Sequence, residues 1–462
     1  MAELLSVGLD VGTTTTQLIL SRLVIENRAT GFSVPQMEIA KREVIYTSVV
    51  YFTPLLGQDL VDAEGIRKIV EAEYATAGIS RDQVDTGAII ITGETSRKEN
   101  AQAVLQALSA FAGEFVVATA GPDLESILAA HGAGAVSFSA ATGKTVLHMD
   151  IGGGTSNLAL IEKGNIIRTG CLNVGGRLIK TDSTGKICYI SSVVQGLTAL
   201  SPGDAPDPGK VQALTQQLTQ ALEMAAGLRP ATNLLDKLLT RETEQRWLPP
   251  KETNLVLSFS GGVADCIDKQ LPSGVYGDIG VELGQAIKES LLCRGEYILG
   301  QQTIRATVIG AGCHSTTLSG STVFAQDFLL PAKNLPVARF SFPQQESPEL
   351  ASLIAQRIAQ SDSSTLVLSF PGYASASYKQ VCSLAEKLAK GIGSRPVCIC
   401  LEADMAKALG QKLSLLLPKG TPCLCIDRVH LEENSYLDVG LPVGPAFPVV
   451  VKTLILSQGG NP

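Results

Sequence analysis

The sequence predicts an α/β protein built of two related strand-turn-strand lobes followed by a separate α/β domain. Three observations carry this prediction. An apolar strand ending in an aspartate and a glycine-threonine turn occurs twice, at VGLDVGTTTT (7–16) and HMDIGGGTSN (148–157). A third apolar strand, NLVLSF (254–259), runs into paired glycines. From about residue 326, short Val, Leu, Ile and Cys strands alternate with helical stretches, the pattern of a parallel sheet with crossover helices.

The chain has 462 residues, enough for two to four domains and a cleft between lobes. Hydrophobic residues make up 45% and aromatics only 5%, with 45 glycines, which suits Val/Ile/Leu strands joined by loops that approach ligands closely. A net charge of −7 leaves no basic stripe for a nucleic acid and no polybasic membrane footprint. No run reaches the roughly 18 apolar residues of a spanning helix, and MAELLSVGLD lacks the basic and apolar regions of a secretory signal. The expectation is a cytoplasmic protein with no nucleic-acid and no membrane partner. The ten cysteines include Cys398 and Cys400, and Cys423 and Cys425, spaced C-x-C inside apolar runs with no C-x-x-C. Residues i and i+2 of a strand face the same way, so these read as buried thiols and not as a metal or iron–sulfur site.

Taken in order, LLSVGLDVG, TQLILSRLVI and REVIYTSVVYF are strands, 62–77 and 97–111 have helical spacing, and AIIITGE (88–94) is a strand between those helices. TVLHMDIGGGTSNLALIEKGNIIRTGCLNVGG (145–176) repeats the logic of the first strands. After the Pro/Gly/Asp loop SPGDAPDPG (201–209) a helical stretch is expected from 210 to about 240. NLVLSFSGGVADCI (254–267) reads as strand, glycine turn and helix start, DIGVELGQAIKESLL (278–292) as a helix, and RATVIGAGCHSTTLSGSTV (305–323) as a strand-glycine block. TLVLSF, PVCICL and PCLCID are strands of the last domain.

A carboxylate at a strand end can reach Mg²⁺ directly or through water, while a small following turn exposes backbone N–H groups to phosphate oxygens. Asp10 with Gly12, Thr13, Thr14 and Thr15 offers this, and Asp150 with Gly152, Gly153, Gly154 and Thr155 offers it again. An aspartate capping a hairpin explains one such turn equally well. Two of them, 140 residues apart and both between apolar strands, point to a nucleotide held between lobes. In SFSGGVAD (258–265) the paired glycines Gly261 and Gly262 let backbone lie against a purine ring.

The order of these pieces resembles the actin, heat-shock-70 and sugar-kinase superfamily of ATPases, over about residues 5–295. The resemblance implies an actin/Hsp70-like, ribonuclease H-like two-lobe core: lobe I at 1–143, lobe II at 144–276, a return helix and glycine-rich block at 277–325, and an additional C-terminal α/β domain at 326–462. It implies ATP or ADP with Mg²⁺ as cofactors and Asp10 and Asp150 as the metal-binding and catalytic carboxylates. The four glycine-threonine residues of each turn lie on phosphate, with Gly261 and Gly262 near adenosine. GPDLESILAAHGAGA (121–135) looks like its first connecting helix and YGDIGVELGQAI (276–287) like its second. In the chaperone branch a glutamate nine residues before a glycine positions the attacking water; Glu125 stands nine before Gly134, with Asp123 as competitor. IGAGCHS (309–315) competes with Gly261 and Gly262 for the adenosine role. His314, beside that turn, reads as a structural histidine, since phosphoryl transfer does not require one.

A sugar kinase needs a carboxylate base aimed at a substrate hydroxyl. No D-x-G base follows the first lobe's strands, and Asp438-Val-Gly comes too late in the chain. Over its whole length, through GLDVGTTTTQLILSRL, RATVIGAGCHSTTLSGSTVF and YLDVGLPVGPAFPVVVKTLIL, the chain resembles the ethanolamine ammonia-lyase reactivating factors of ethanolamine utilisation. That resemblance implies an ATPase that engages ethanolamine ammonia-lyase and exchanges damaged cobalamin for intact adenosylcobalamin, in the cytoplasm or with an ethanolamine-utilisation microcompartment. Cobalamin is expected on the lyase and not on this chain, because His131, His148, His314 and His430 form no D-x-H-x-x-G pattern. A homo-oligomer stays open, as do two other functions: an actin-like ATP-binding scaffold or polymer, and a small-molecule kinase. For the last domain a stabilising or dimerising module and a partner-gripping one are both open.

Overall fold

The computed structural model describes residues 2–453 apart from 13–14, 30–35, 57–59, 92–103, 105–106, 109–115, 121, 241–242, 244–246, 251–254, 301–302, 321, 362 and 434. The predicted helix at 97–111 therefore falls almost wholly outside the described residues.

Lobe I is a sheet of β1 (Ala2–Val11), β2 (Thr15–Asn27), β3 (Met37–Thr47), β4 (Tyr51–Phe52), β5 (Thr86–Ile91) and β6 (Val116–Ala120), with α1 (Ala63–Ala77) between β4 and β5. Its path is β3-β2-β1-β5-β6: the hairpin strands β1, β2 and β3 are antiparallel, and β1, β5 and β6 are parallel. Helix α1 starts at Asp62, whose side chain accepts the Gly65 amide, and ends at the left-handed Gly78. The period of two in β1 sends Val7, Leu9 and Val11 into the core with Ile66, Val70 and Tyr74 of α1. Gly8 and Asp10 face the other side.

From there the chain enters α2 (Pro122–Gly132) and α3 (Ala135–Thr142). Lobe II holds β7 (Val146–Ile151), β8 (Ser156–Glu162), β9 (Asn165–Leu172), the small hairpin β10 (Ile179–Thr181) and β11 (Ile187–Ile190), α4 (Pro208–Ala225), α5 (Asn233–Leu238), β12 (Val256–Ser260), α6 (Gly280–Glu289) and β13 (Tyr297–Leu299). Its main sheet runs β9-β8-β7-β12-β13 with the same alternation of antiparallel and parallel pairs. The two lobes thus repeat one strand order, the duplicated ribonuclease H-like arrangement of the actin/Hsp70-like fold. The single helix expected from 210 to 240 is broken into α4 and α5, because Gly227 turns left-handed at φ +73° and Pro230 follows. After Gly261 and Gly262 the chain makes only a 3₁₀ turn, Ala264–Cys266, where a helix start was expected.

The block at 305–323 is corrected most. Residues Ala306–His314 form a helix, α7, and not a strand-turn. It packs on the Gly8 face of β1, and α2 crosses it at glycines: a Cβ on Gly8 would lie 2.5 Å from the Val308 carbonyl oxygen, one on Gly310 2.0 Å from that of Leu128, and one on Gly132 1.8 Å from that of Ala306. Glycine inside a helix is unfavourable by about 1 kcal/mol, and here the close crossing offsets it. The helix that packs on α2 is therefore α7. The segment 276–287 contains α6, which packs on α4 within lobe II.

The last domain has β14 (Thr317–Leu318), β15 (Phe324–Gln326), β16 (Ala332–Arg339), α8 (Phe342–Glu346), α9 (Leu350–Gln360), β17 (Leu366–Phe370), α10 (Tyr378–Ile392), β18 (Val397–Leu401), α11 (Ala406–Ser414), β19 (Cys423–Asp427), β20 (Ser435–Val439) and β21 (Pro448–Thr453). Its sheet is mixed, not parallel throughout: β16, β17, β18 and β19 are parallel, while β15 and the β20-β21-β14 edge are antiparallel. Strands β14 and β15 already belong to this sheet, so it starts before the expected boundary at 326. Cys398, Cys400, Cys423 and Cys425 are buried and free, with the Cys423 and Cys425 sulfurs 3.8 Å apart. Asp438 accepts the Asn334 amide within this sheet at 2.6 Å. Among the described residues no helix is long and apolar enough to cross a membrane.

Candidate functional site

Both aspartates sit at the same place in their hairpins. Asp10 is the penultimate residue of β1, opposite Gln17, and Asp150 the penultimate residue of β7, opposite Asn157. The turns that follow close identically: the Gly12 amide donates to the Thr15 carbonyl at 2.9 Å, and the Gly152 amide to the Thr155 carbonyl at 2.9 Å. Thr13 and Thr14 lie outside the described residues. The first turn is braced by the Thr53 hydroxyl, which donates to the Gly12 carbonyl at 2.8 Å. The second is braced by backbone: the amides of Gly176 and Arg177 donate to the carbonyls of Gly152 and Gly153 at 3.0 and 2.6 Å. A Cβ on Gly175 would come within 2.3 Å of the Gly153 oxygen, so only glycine permits this approach.

One cavity of about 180 Å³ collects these pieces. Asp10, Gly12, Thr15, Glu125, Asp150, Gly152, Gly153, Gly154, Thr155, Gly261 and Gly262 all line it. So do five residues the motif reading missed: Gln17, Asn157, Arg177, Ile304 and Thr307. Glu125 reaches it from α2, half-buried; the side chain of Asp123 is outside the described part. Gly261 is left-handed at φ +87°, with the Ile151 carbonyl 2.3 Å from where a Cβ would be, whereas Gly154 and Gly262 have open space there. Gly310 and Gly312 are buried inside α7, which removes IGAGCHS as a competing loop. His314 stacks on His131 at 4.6 Å, where α7 and α2 end, and does not line the cavity.

Asp150 is buried, and burial pushes its pKa up to about 6 against the pull of hydrogen bonds from Ser260 and Thr307. Ser260 in turn meets His148 Nε2 at 3.0 Å, and His148 Nδ1 meets the Ser258 hydroxyl at 2.9 Å. Because the Ser260 hydroxyl donates to Asp150, it accepts from His148, which assigns the imidazole proton to Nε2. Burial holds this histidine neutral, with a pKa near 3. Arg177 is committed to Asp278, Nε to Oδ2, at 3.1 Å. Beyond Asp278 opens a larger cavity of about 680 Å³ between α4 and α6, lined by Thr215, Thr219, Ile279 and Glu282 among others.

Mg²⁺ usually takes one or two protein carboxylates and keeps several waters. Two carboxylates facing one cavity, beside Gly154 where a Cβ would fill open space, fit that demand. Among the described residues no group of three or more His, Cys, Asp or Glu could hold an ion unaided, so phosphate and water would complete any coordination.

The sequence matches the family described as Ethanolamine utilisation protein EutA over residues 2–457. This chain belongs to the EutA family. The ethanolamine ammonia-lyase reactivase EutA of Salmonella typhimurium is 40% identical over 466 residues, and that of Escherichia coli 38% over 467, each covering 98% of both chains. Solved structures similar to this EutA-family chain include the Aquifex aeolicus PPX-GPPA enzyme (13% identity, 67% of this chain and 99% of that one, TM-score 0.41). The ethanolamine utilization protein EutJ of Carboxydothermus hydrogenoformans is another (17%, 68% and 89%, TM-score 0.33). Two of the missed residues, Gln17 and Asn157, share one signal in this EutA-family sequence: a carboxamide seven positions after each turn aspartate.

Proposed function

We propose that this chain is an ATP-dependent reactivating factor for ethanolamine ammonia-lyase, promoting exchange of damaged cobalamin for intact adenosylcobalamin. The observation that carries the reading is the full-length similarity to two proteins named as reactivases of that lyase. The cleft supplies the means. The turns at Gly12–Thr15 and Gly152–Thr155 offer backbone amides to the phosphates from opposite lobes. Asp10 and Asp150 would hold Mg²⁺, which when bound would neutralise phosphate charge; Ser260 and Thr307 keep Asp150 oriented. Glu125 positions the attacking water. Adenosine passes Gly261 and Gly262 towards the larger cavity past the Arg177–Asp278 pair.

A ligand held by both lobes favours the closed arrangement by its differential affinity for it. The glycine crossing of α2 and α7 is the hinge. Closure then changes the surface that grips the lyase, which releases the damaged cobalamin and takes up the intact cofactor; no cobalamin site is needed on this chain. No observation favours the scaffold or kinase readings.

The test is recovery of activity from cobalamin-inactivated lyase given intact adenosylcobalamin and Mg²⁺, with or without ATP, using wild type beside Asp150→Ala. Recovery that needs both ATP and Asp150 is expected. Recovery without nucleotide, or with Asp150→Ala at full rate, would overturn the reading.

A further inference from the structure

Two carboxamides in the cleft are buried with their oxygens unused. Gln17 is 4% exposed and Asn157 2%, and neither Gln17 Oε1 nor Asn157 Oδ1 has a hydrogen-bond partner. A buried acceptor left unmet is unfavourable, and this chain carries one at the equivalent position of each lobe. Both face the same cavity as the turn aspartates. Directly opposed residues of an antiparallel pair project to one face of the sheet, so Gln17 stands beside Asp10 and Asn157 beside Asp150.

The orientation of Gln17 is fixed by its other end. Its Nε2 donates to the Ile304 carbonyl at 3.2 Å, and turning the amide round would set two acceptors against each other. The oxygen is therefore the end of the amide left without a donor. A phosphate oxygen is also an acceptor and gives it nothing. The hydroxyls of Ser260 and Thr307 are used on Asp150, and Arg177 gives its Nε to Asp278. What fits beside two carboxylates is a donor that arrives with a cation: the waters of a hydrated divalent ion, each with protons directed away from the metal.

We infer that Gln17 and Asn157 are positioning residues, one from each lobe, whose carbonyl oxygens accept hydrogen bonds from the water shell of the divalent cation held at Asp10 and Asp150. This rests on the magnesium-nucleotide reading above and adds to it a second layer of ligands. It also ties the ion to the hinge, since Gln17 holds the backbone two residues before α7 begins.

The experiment is calorimetric titration of the full chain with ADP, in Mg²⁺ and in EDTA, for wild type, Gln17→Leu, Asn157→Leu and Asn157→Asp. Leucine removes the acceptor at similar volume, and aspartate keeps an acceptor oxygen; thermal melts establish that each variant folds. The leucine variants should weaken binding in Mg²⁺ by about tenfold, the lower end for lost outer-shell partners, and leave binding in EDTA unchanged. Asn157→Asp should retain the magnesium effect. Leucine variants that bind like wild type in both media, or are weakened equally in both, overturn the inference while leaving the nucleotide reading intact. A wild type whose affinity ignores Mg²⁺ overturns that reading itself, and this inference with it.

Discussion

The two glycine-threonine turns have the same spacing and the same closing hydrogen bond, yet they are supported differently. The lobe I turn leans on one side chain, Thr53, and its aspartate is half-buried. The lobe II turn is clamped by backbone from Gly175–Arg177, and its aspartate is 6% exposed, with a pKa raised to about 6 and a serine-histidine-serine chain behind it. Duplication of a strand order conserved the geometry and not the electrostatics. Burial makes the Asp150 charge unfavourable in lobe II, whereas Asp10 of lobe I is only half-buried.

The largest test of that difference is Gly175→Ala. The new Cβ meets the Gly153 carbonyl at 2.3 Å, which forces the clamp apart and should lower unfolding free energy by about 3 kcal/mol, read by urea denaturation. Next is Asp150→Asn, measured in EDTA. The folded-state pKa is raised above the ordinary 3.8, so the native state binds more protons between pH 3.8 and 6, and stability falls as pH rises through that window. The variant lacks this penalty. It should gain up to about 3 kcal/mol on wild type at pH 7.5, and the gain should shrink towards pH 4; a gain independent of pH would deny that burial strains the charge. The smallest effect on stability belongs to Gly154→Ala, where a Cβ meets nothing within 4 Å. Its melting should stay within about 0.5 kcal/mol of wild type, while nucleotide affinity drops, because the methyl group fills space reserved for the ligand.

What the sequence disclosed follows from how local each signal is. Strand, aspartate and glycine-threonine turn are contiguous, so both halves of the site and all three β-rich regions could be read from motif and period. Helix α7 was not legible as a helix: Val308, Gly310, Ala311 and Gly312 read like a strand and a turn, and only the crossing with α2 and Gly8 makes a helix favourable there. The edges of the last sheet were missed because β14 and β15 are two and three residues long and pair with strands more than 90 residues away. Gln17 and Asn157 look like ordinary polar positions in a strand until the register sets each beside a carboxylate. Arg177 and Thr307 reach the cleft from segments with no motif of their own.

The central claim is that Asp10 and Asp150 act on one ion from two lobes. The direct measurement is a double-mutant cycle on ADP affinity in Mg²⁺, with Asp10→Ala, Asp150→Ala and the pair together. Residues serving one ion are strongly coupled, so each single change should remove the magnesium-dependent part of the affinity and the double should be no worse than the poorer single. Losses that simply add, or a single change that leaves magnesium dependence intact, would contradict a site shared between the lobes.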